Sequence, residues 1–381
     1  TDSGMLWWHT VNRSGWNAAS NSAQDKATNT QQMRKLFPQL GTAPDLGVET
    51  TTSGLRHAAP PTTELAWLRS SSFNLIYYDP LVTYTPWAAA EHDGALRNYG
   101  DATPSAAKTH PGFFTAPTTV NLTADQPADT GTQRHFHFYR GMTIPAGAQK
   151  RVGSNWVTVN TPEVVTVNEI AVAMPYYPAT YWHRQPCAVN GSDCIAAPDG
   201  SGQLQRYEIR STQSTYPSGR TYTAEMQNFA NWWQYYRKRK VMLAAAMGRG
   251  LEGLVSGVRL GTTYYNETPR PNVAMLSSSG TGGAAALRQI AGRFYTRSSN
   301  QGTPTSGTLN FIGDQFNDNT SLIQHACQRN NAFIVTDGFP NDSVAGRNYD
   351  RSLHASAPPH APTLAGTVAD HALYHYTRRA R

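Results

Sequence analysis

Charge is sparse in this sequence: only 15% of its 381 residues are Asp, Glu, Lys or Arg. Long hydrophobic runs are missing too. No apolar stretch approaches the roughly 18 residues a membrane helix needs, and no signal peptide opens the chain, so an exported protein is expected to have lost its leader already. G-x-S-x-G, H-E-x-x-H and cysteine-nucleophile signatures are absent, which leaves an enzyme with little direct support. No internal repeat is found. Cysteine is scarce, with three residues. Cys187 and Cys194 bracket "AVNGSD", a turn-rich loop that a disulfide would close in an oxidising compartment; the other reading is two reduced cysteines in a loop. Cys327 is then left over, either as a small buried apolar residue or as a free thiol.

What the chain has in quantity is 31 Gly, 24 Pro, 19 Tyr and 9 Trp. That balance indicates many loops and an aromatic content suited to an exported protein. The length holds two or three domain-sized units, or one domain with a large insertion. The formal charge of +7 is scattered, apart from Arg237-Lys238-Arg239-Lys240 and Arg378-Arg379-Arg381. Both clusters fall on expected helices and read as solvated faces or helix ends rather than a nucleic-acid footprint.

From about 70 to 210, short aromatic or β-branched runs such as "YYDPLVTYTPW", "RHFHFY" and "NWVTVN" are cut by Pro, Gly and Asn, the punctuation of irregular β structure. At about 223 the period becomes helical. Thr223 caps, and Phe229, Trp232, Trp233, Tyr236, Leu243 and Met247 form one stripe that ends at Gly248 and Gly250. Tyr235 and the basic run are expected to point away from that stripe, where a partner would meet them. "VRLGTTYYN" reads as a strand. A helix follows with Leu287, Ile290, Ala291 and Phe294 on one face, and Ala332-Phe333-Ile334-Val335 reads as a strand covered on both faces. A last helix, about 364–380, carries Val368, Ala372, Leu373 and Tyr376 inward. This alternation over 223–381 has the rhythm of a doubly wound parallel sheet, in which ligands gather beyond the carboxyl ends of the strands, where Asp337 falls.

Four segments, in order, resemble the N-terminal region of the PilY family, proteins at the tip of bacterial type IV pili. "EMQNFANWWQYYRKR" (225–239) is similar to the family's "ExxNFANWxxYYRxR" and is the most specific of the four. "YYDPLVTYTPW" (77–87) resembles "YYNPxxTYxPW", "ACQRNNAFIVTDGFPND" (326–342) resembles "CQxxFxIxxTDGYxN", and "TVADHALYHY" (367–376) resembles "TLADVAMYYY". The resemblance implies an α/β fold: a von Willebrand factor A-like (Rossmann-like) doubly wound sheet, formed by residues 1–20 and 221–381, with a large irregular β-rich insertion over 21–220. The family's C-terminal propeller is absent, so the chain is either a fragment or a stand-alone relative. The resemblance further implies a non-enzymatic, exported adhesin and assembly factor for surface attachment and twitching motility. It would meet minor pilins at the pilus tip and a host or abiotic surface ligand, without nucleic acid or membrane insertion.

It also implies a site for Mg²⁺ or Ca²⁺, cations that favour oxygen ligands. Asp337 corresponds to the acidic residue of the third loop. The first-loop pattern "DxSGSM" falls on Thr1 to Leu6, where Ser3 and Gly4 match, Thr1 and Met5 replace ligands, and Asp2 substitutes if the register slips by one. In "TGGAAALR" (281–288), Ala284 or Ala285 stands where a hydroxyl would be. The alternative for Asp337 is a turn cap. His135 and His137, two apart on one strand face, have the types and spacing of zinc ligands but lack a third at usable spacing. "GTGG" (280–283) lacks the Lys and hydroxyl of a phosphate loop and reads as a connection. A rival function is an extracellular metal-dependent hydrolase acting on glycans, with Asp337 and one of the histidines in its site.

Overall fold

The computed structural model describes residues 33–38, 57–111, 118–131, 134–167, 169–254, 257–297, 302–325, 327–336, 342 and 367–377. The chain divides into two compact units, one of Thr1–Ala89, Leu96–Arg249 and Tyr295–Ser298, the other of Ala90–Ala95, Gly250–Phe294 and Ser299–Arg381.

In the first unit, β1 (Met33–Lys35), β2 (His57–Ala58), β3 (Phe136–Tyr139), β4 (Gln149–Val152), β5 (Asn155–Thr158) and β6 (Glu169–Ala173) form one sheet in the order β1-β2-β3-β6-β4-β5. Pairing is parallel from β1 to β3 and antiparallel beyond, with Phe136 opposite Val172. A second, antiparallel sheet has β7 (Thr180–Arg184), β8 (Cys194–Ala196) and β9 (Gln203–Glu208) in the order β7-β9-β8. The strands are short because Gly and Pro interrupt them, and Gly141, Gly147 and Gly153 adopt the left-handed backbone that hairpin turns require.

The helical run breaks into two elements, α1 (Tyr222–Tyr235) and α2 (Arg239–Glu252). Tyr236 leaves helical geometry (φ −133°), and the N–H groups of Tyr236 and Arg237 both donate to the Trp232 carbonyl. The cause is Arg237. Its side chain turns inward, donates to the Thr109 carbonyl at 2.9 Å and lies 4.3 Å over the Trp233 ring. The expected solvated basic face is therefore incorrect at Arg237 and Lys238, which are buried. Phe229, Trp232 and Trp233 fill the core as expected, against Phe37, Tyr77, Tyr78 and Phe136.

In the second unit, β10 (Arg259–Leu260) pairs antiparallel with β11 (Leu276–Ser277), followed by α3 (Gly283–Thr296), α4 (Thr305–Asp318) and α5 (Val368–Thr377). Ile290 and Ala291 of α3 are buried. The sequence reading had no helix over 305–318, whose buried positions include Thr305, Ser306, Thr308, Gly313 and Gln315 rather than an apolar stripe. Residues 332–335 form no strand. They carry no regular structure, and Phe333 is 83% exposed, because no ladder partner among the described residues covers either face. The inward face of α5 also differs. Asp370 and His371 are buried, whereas Ala372 is exposed and Tyr376 is 87% exposed. Reciprocal capping sets this rotation: Asp370 Oδ2 accepts from Thr367 N–H and its hydroxyl (both 2.9 Å), while Thr367 Oγ1 accepts from Asp370 N–H.

Candidate functional site

Asp2, Ser3 and Asp337 lie outside the described residues. Asp342, at the end of the same acidic motif, accepts from Ser306 N–H (3.2 Å) and Gly307 N–H (2.7 Å), so it caps α4. Cys187 and Cys194 are joined, and Cys327 is exposed and forms no disulfide, against the buried reading. His135 and His137 lie side by side, ring centroids 5.1 Å apart. His137 Nδ1 meets Glu169 Oε1 at 2.9 Å, while His135 Nδ1 meets the Gly131 carbonyl and its ring packs on Trp156. Among the described residues no cluster of three or more His, Cys, Asp or Glu has metal-holding geometry. Gly283 of "GTGG" abuts the Ser278 carbonyl, where a Cβ would stand 1.9 Å away, consistent with a tight connection into α3.

The most developed constellation is on α1, and it joins two of the motifs. Residues 79–89 belong to no ladder, so their backbone polar groups need other partners. Side-chain amides of α1 supply them. Asn228 Oδ1 accepts from Tyr84 N–H (2.7 Å), and its amide donates to the Tyr78 hydroxyl (3.0 Å) and the Val82 carbonyl (2.8 Å). One turn on, Asn231 accepts from Ala102 N–H (2.9 Å) and donates to the Tyr84 carbonyl (3.0 Å) and Asp101 Oδ1 (2.8 Å). Gln227 donates to the Ala102 carbonyl, and Gln234 accepts from Lys108 N–H.

Aromatic side chains extend this grip. Trp232 Nε1 donates to the Ile76 carbonyl, Tyr236 to that of Thr85 and Tyr235 to that of Gly100, while Trp87 Nε1 donates to the Tyr235 carbonyl. Tyr235 is thus buried, not presented to a partner. At the amino end of the helix the carboxylate of Glu225 is fully buried and accepts from Tyr181 (3.1 Å), Ser218 (2.7 Å) and Arg220 (3.3 Å). Arg220 also donates to the Pro80 and Val82 carbonyls. The helix amino terminus favours the negative charge.

The electrostatics suit a structural clamp. Burial, reinforced by the Glu225 charge, raises the Tyr181 and Tyr78 hydroxyls well above the usual phenol range. Burial pushes Tyr84 and Tyr235 up to about 12. These phenols stay protonated: Tyr181 and Tyr235 donate to Glu225 and to the Gly100 carbonyl, while the Tyr78 and Tyr84 hydroxyls accept from the Asn228 amide and from Asp79 N–H. Burial lowers Lys240 to about 8, with Arg297 adding repulsion. The sequence reading treated α1 as an apolar stripe and passed over Gln227, Asn228, Asn231 and Gln234; amides one turn apart beside buried aromatics were the available signal.

The chain is 23% identical over 384 residues to the type IV pilus biogenesis factor PilY1 of Pseudomonas aeruginosa strain PAK, covering 90% of this chain and 28% of the relative. It is 24% identical over 201 residues to the protein of the same name from strain PAO1, covering 45% of this chain and 17% of that relative. The chain thus spans under a third of the length of either. No family model matches it, and no solved structure does. Similarity running through most of the chain supports a PilY-related protein. Among the described residues no helix is long and apolar enough to cross a membrane.

Proposed function

We propose that this chain is a binding portion of an exported, type IV pilus-associated protein, acting at the pilus tip in surface attachment and pilus assembly. The observation that carries this reading is similarity to a type IV pilus biogenesis factor over 90% of the chain. Two of the motifs behind the resemblance, 77–87 and 225–239, supply opposite sides of one buried interface. The Cys187–Cys194 bond fits passage through an oxidising compartment.

In this proposal minor pilins are the partners on the filament side, and a host or abiotic surface is the target on the other. The loop-rich first unit supplies the specificity, since loops vary without disturbing the scaffold beneath them. A von Willebrand factor A-like core belongs to the same proposal. The chain works by binding rather than by catalysis, and the reading requires no cation. Purified chain is tested against each minor pilin of its own organism by titration calorimetry. Saturable binding to at least one supports the assignment, and no binding to any of them removes the pilin partner from it.

A further inference from the structure

Strand edges in the first unit differ in what meets them. At β8 the Cys194 carbonyl accepts from the N–H groups of Asn190 and Gly191, and at β7 the Thr180 carbonyl accepts from the Tyr77 hydroxyl at 2.6 Å. β5 is the last strand of its sheet, and among the described residues no further strand pairs with it.

The ladder sets which backbone groups of β5 face outward. Val159 N–H donates to the Ala148 carbonyl and Val159 C=O accepts from Gly147 N–H, so Val159 turns toward β4 and the residues before it. Alternation along the strand turns Asn155 and Val157 the same way, and Trp156 and Thr158 away from β4. Among the described residues nothing bonds the N–H or C=O of Trp156 or Thr158.

Sheets blunt an open edge with charge, proline or a bulge. β5 has none of these: Asn155-Trp156-Val157-Thr158 is uncharged and pairs with β4 in unbroken register. Val157 and Val152 are 44% and 52% exposed. A row of alternating N–H and C=O groups is matched by an extended backbone, which a helix, whose own backbone groups are already paired, does not offer. Charge narrows the chemistry. Lys150 pairs with Glu163, whereas the exposed Arg151, opposite Trp156, has among the described residues only the Gly153 carbonyl on its Nε. Strands lie about 4.8 Å apart, so a glutamate set against Trp156 on an incoming strand reaches Arg151 across the indole.

We infer that the outer edge of β5 takes an extended segment of another protein as a seventh strand, with β-branched residues along Val157 and a carboxylate along Trp156 and Arg151. The edge has this property whether or not the pilus reading holds.

The test uses the whole chain labelled with ¹⁵N-tryptophan, in which the Trp156 amide, assigned by Trp156→Phe, lies on the edge itself. The probe is a short peptide alternating valine with glutamate, compared with one carrying lysine in place of glutamate. Titrated to about 1 mM, the glutamate peptide should shift the Trp156 amide saturably and protect it from solvent exchange. It should bind about fivefold more tightly than the lysine peptide, and Arg151→Glu should reverse that order. Thr158→Pro, which removes an outward N–H and no ladder bond, should abolish binding with far-ultraviolet circular dichroism unchanged. An unmoved Trp156 amide, equal binding of the two peptides, or a Trp156 amide that shifts with chain concentration alone, as pairing of two copies would give, overturns the inference.

Discussion

Asn228 and Asn231 of α1 share Tyr84: the first accepts its N–H at 2.7 Å and the second donates to its C=O at 3.0 Å. A residue outside any ladder thus has both backbone groups satisfied by one helix. Asn231→Ala removes the partners of Ala102 N–H and Tyr84 C=O together. Stranding a buried polar group costs about 1–3 kcal/mol, so urea unfolding of the variant should show a loss of about 2–4 kcal/mol. A change below about 0.5 kcal/mol would show that the amide is not holding the segment.

Glu225 carries a buried charge with three donors. Glu225→Ala removes the carboxylate that accepts from the Tyr181 and Ser218 hydroxyls and leaves the Arg220 charge, still bonded to the Pro80 and Val82 carbonyls, without its ion-pair partner at the amino end of α1. Removing one member of a buried charged pair costs about 3–5 kcal/mol, reduced here because the Arg220 side chain keeps 21% exposure. Thermal unfolding should show a clear fall in midpoint, with Glu225→Gln intermediate.

Gly248 of α2 faces Tyr295, whose hydroxyl would be 1.9 Å from an added Cβ. Tyr295 also donates to the Ala88 carbonyl and packs 4.4 Å from the Trp87 ring. Gly248→Ala should destabilise by about 1–3 kcal/mol through overpacking, despite alanine's better helix propensity. Denaturant melts followed by tryptophan emission check both sign and size.

High pH should unfold the first unit in step with phenol ionisation. Tyr84 and Tyr235 titrate near 12 in the folded chain, against about 10 in an unfolded one. Their raised values contribute stability that is complete below about pH 10 and lost as pH climbs through 10 to 12. Absorbance at 295 nm and far-ultraviolet circular dichroism, followed together, should show the buried phenols ionising with loss of structure. Free ionisation of every tyrosine near pH 10 with the fold intact would refute this.

Much of the first unit was legible because its signals are local. Aromatic and β-branched runs cut by Gly and Pro mark short strands, and Phe229, Trp232 and Trp233 at helical spacing mark a buried face. The misreadings have long-range causes. The break after Tyr235 arises from Arg237 reaching Thr109, 128 residues earlier, which helical periodicity does not register. α4 was missed because Thr, Ser, Gly, Asn and Asp dominate it, residues of low helix propensity that are retained here by the Asp342 cap and by Gly313, which leaves room for the His375 ring. Ala332–Val335 has the composition of a covered strand, but composition does not supply neighbours. Of the acidic site, Asp2, Ser3 and Asp337 lie outside the described residues, while Asp342 has a plain structural role.

The central claim is tested most directly by deleting the gene that encodes this chain and measuring surface pili by shearing and immunoblotting of the major pilin, with twitching zones read in parallel. The account predicts a marked loss of both, restored by the unaltered gene and only weakly by one carrying Asn228→Ala and Asn231→Ala. Normal piliation and normal twitching in the deletion strain would contradict it.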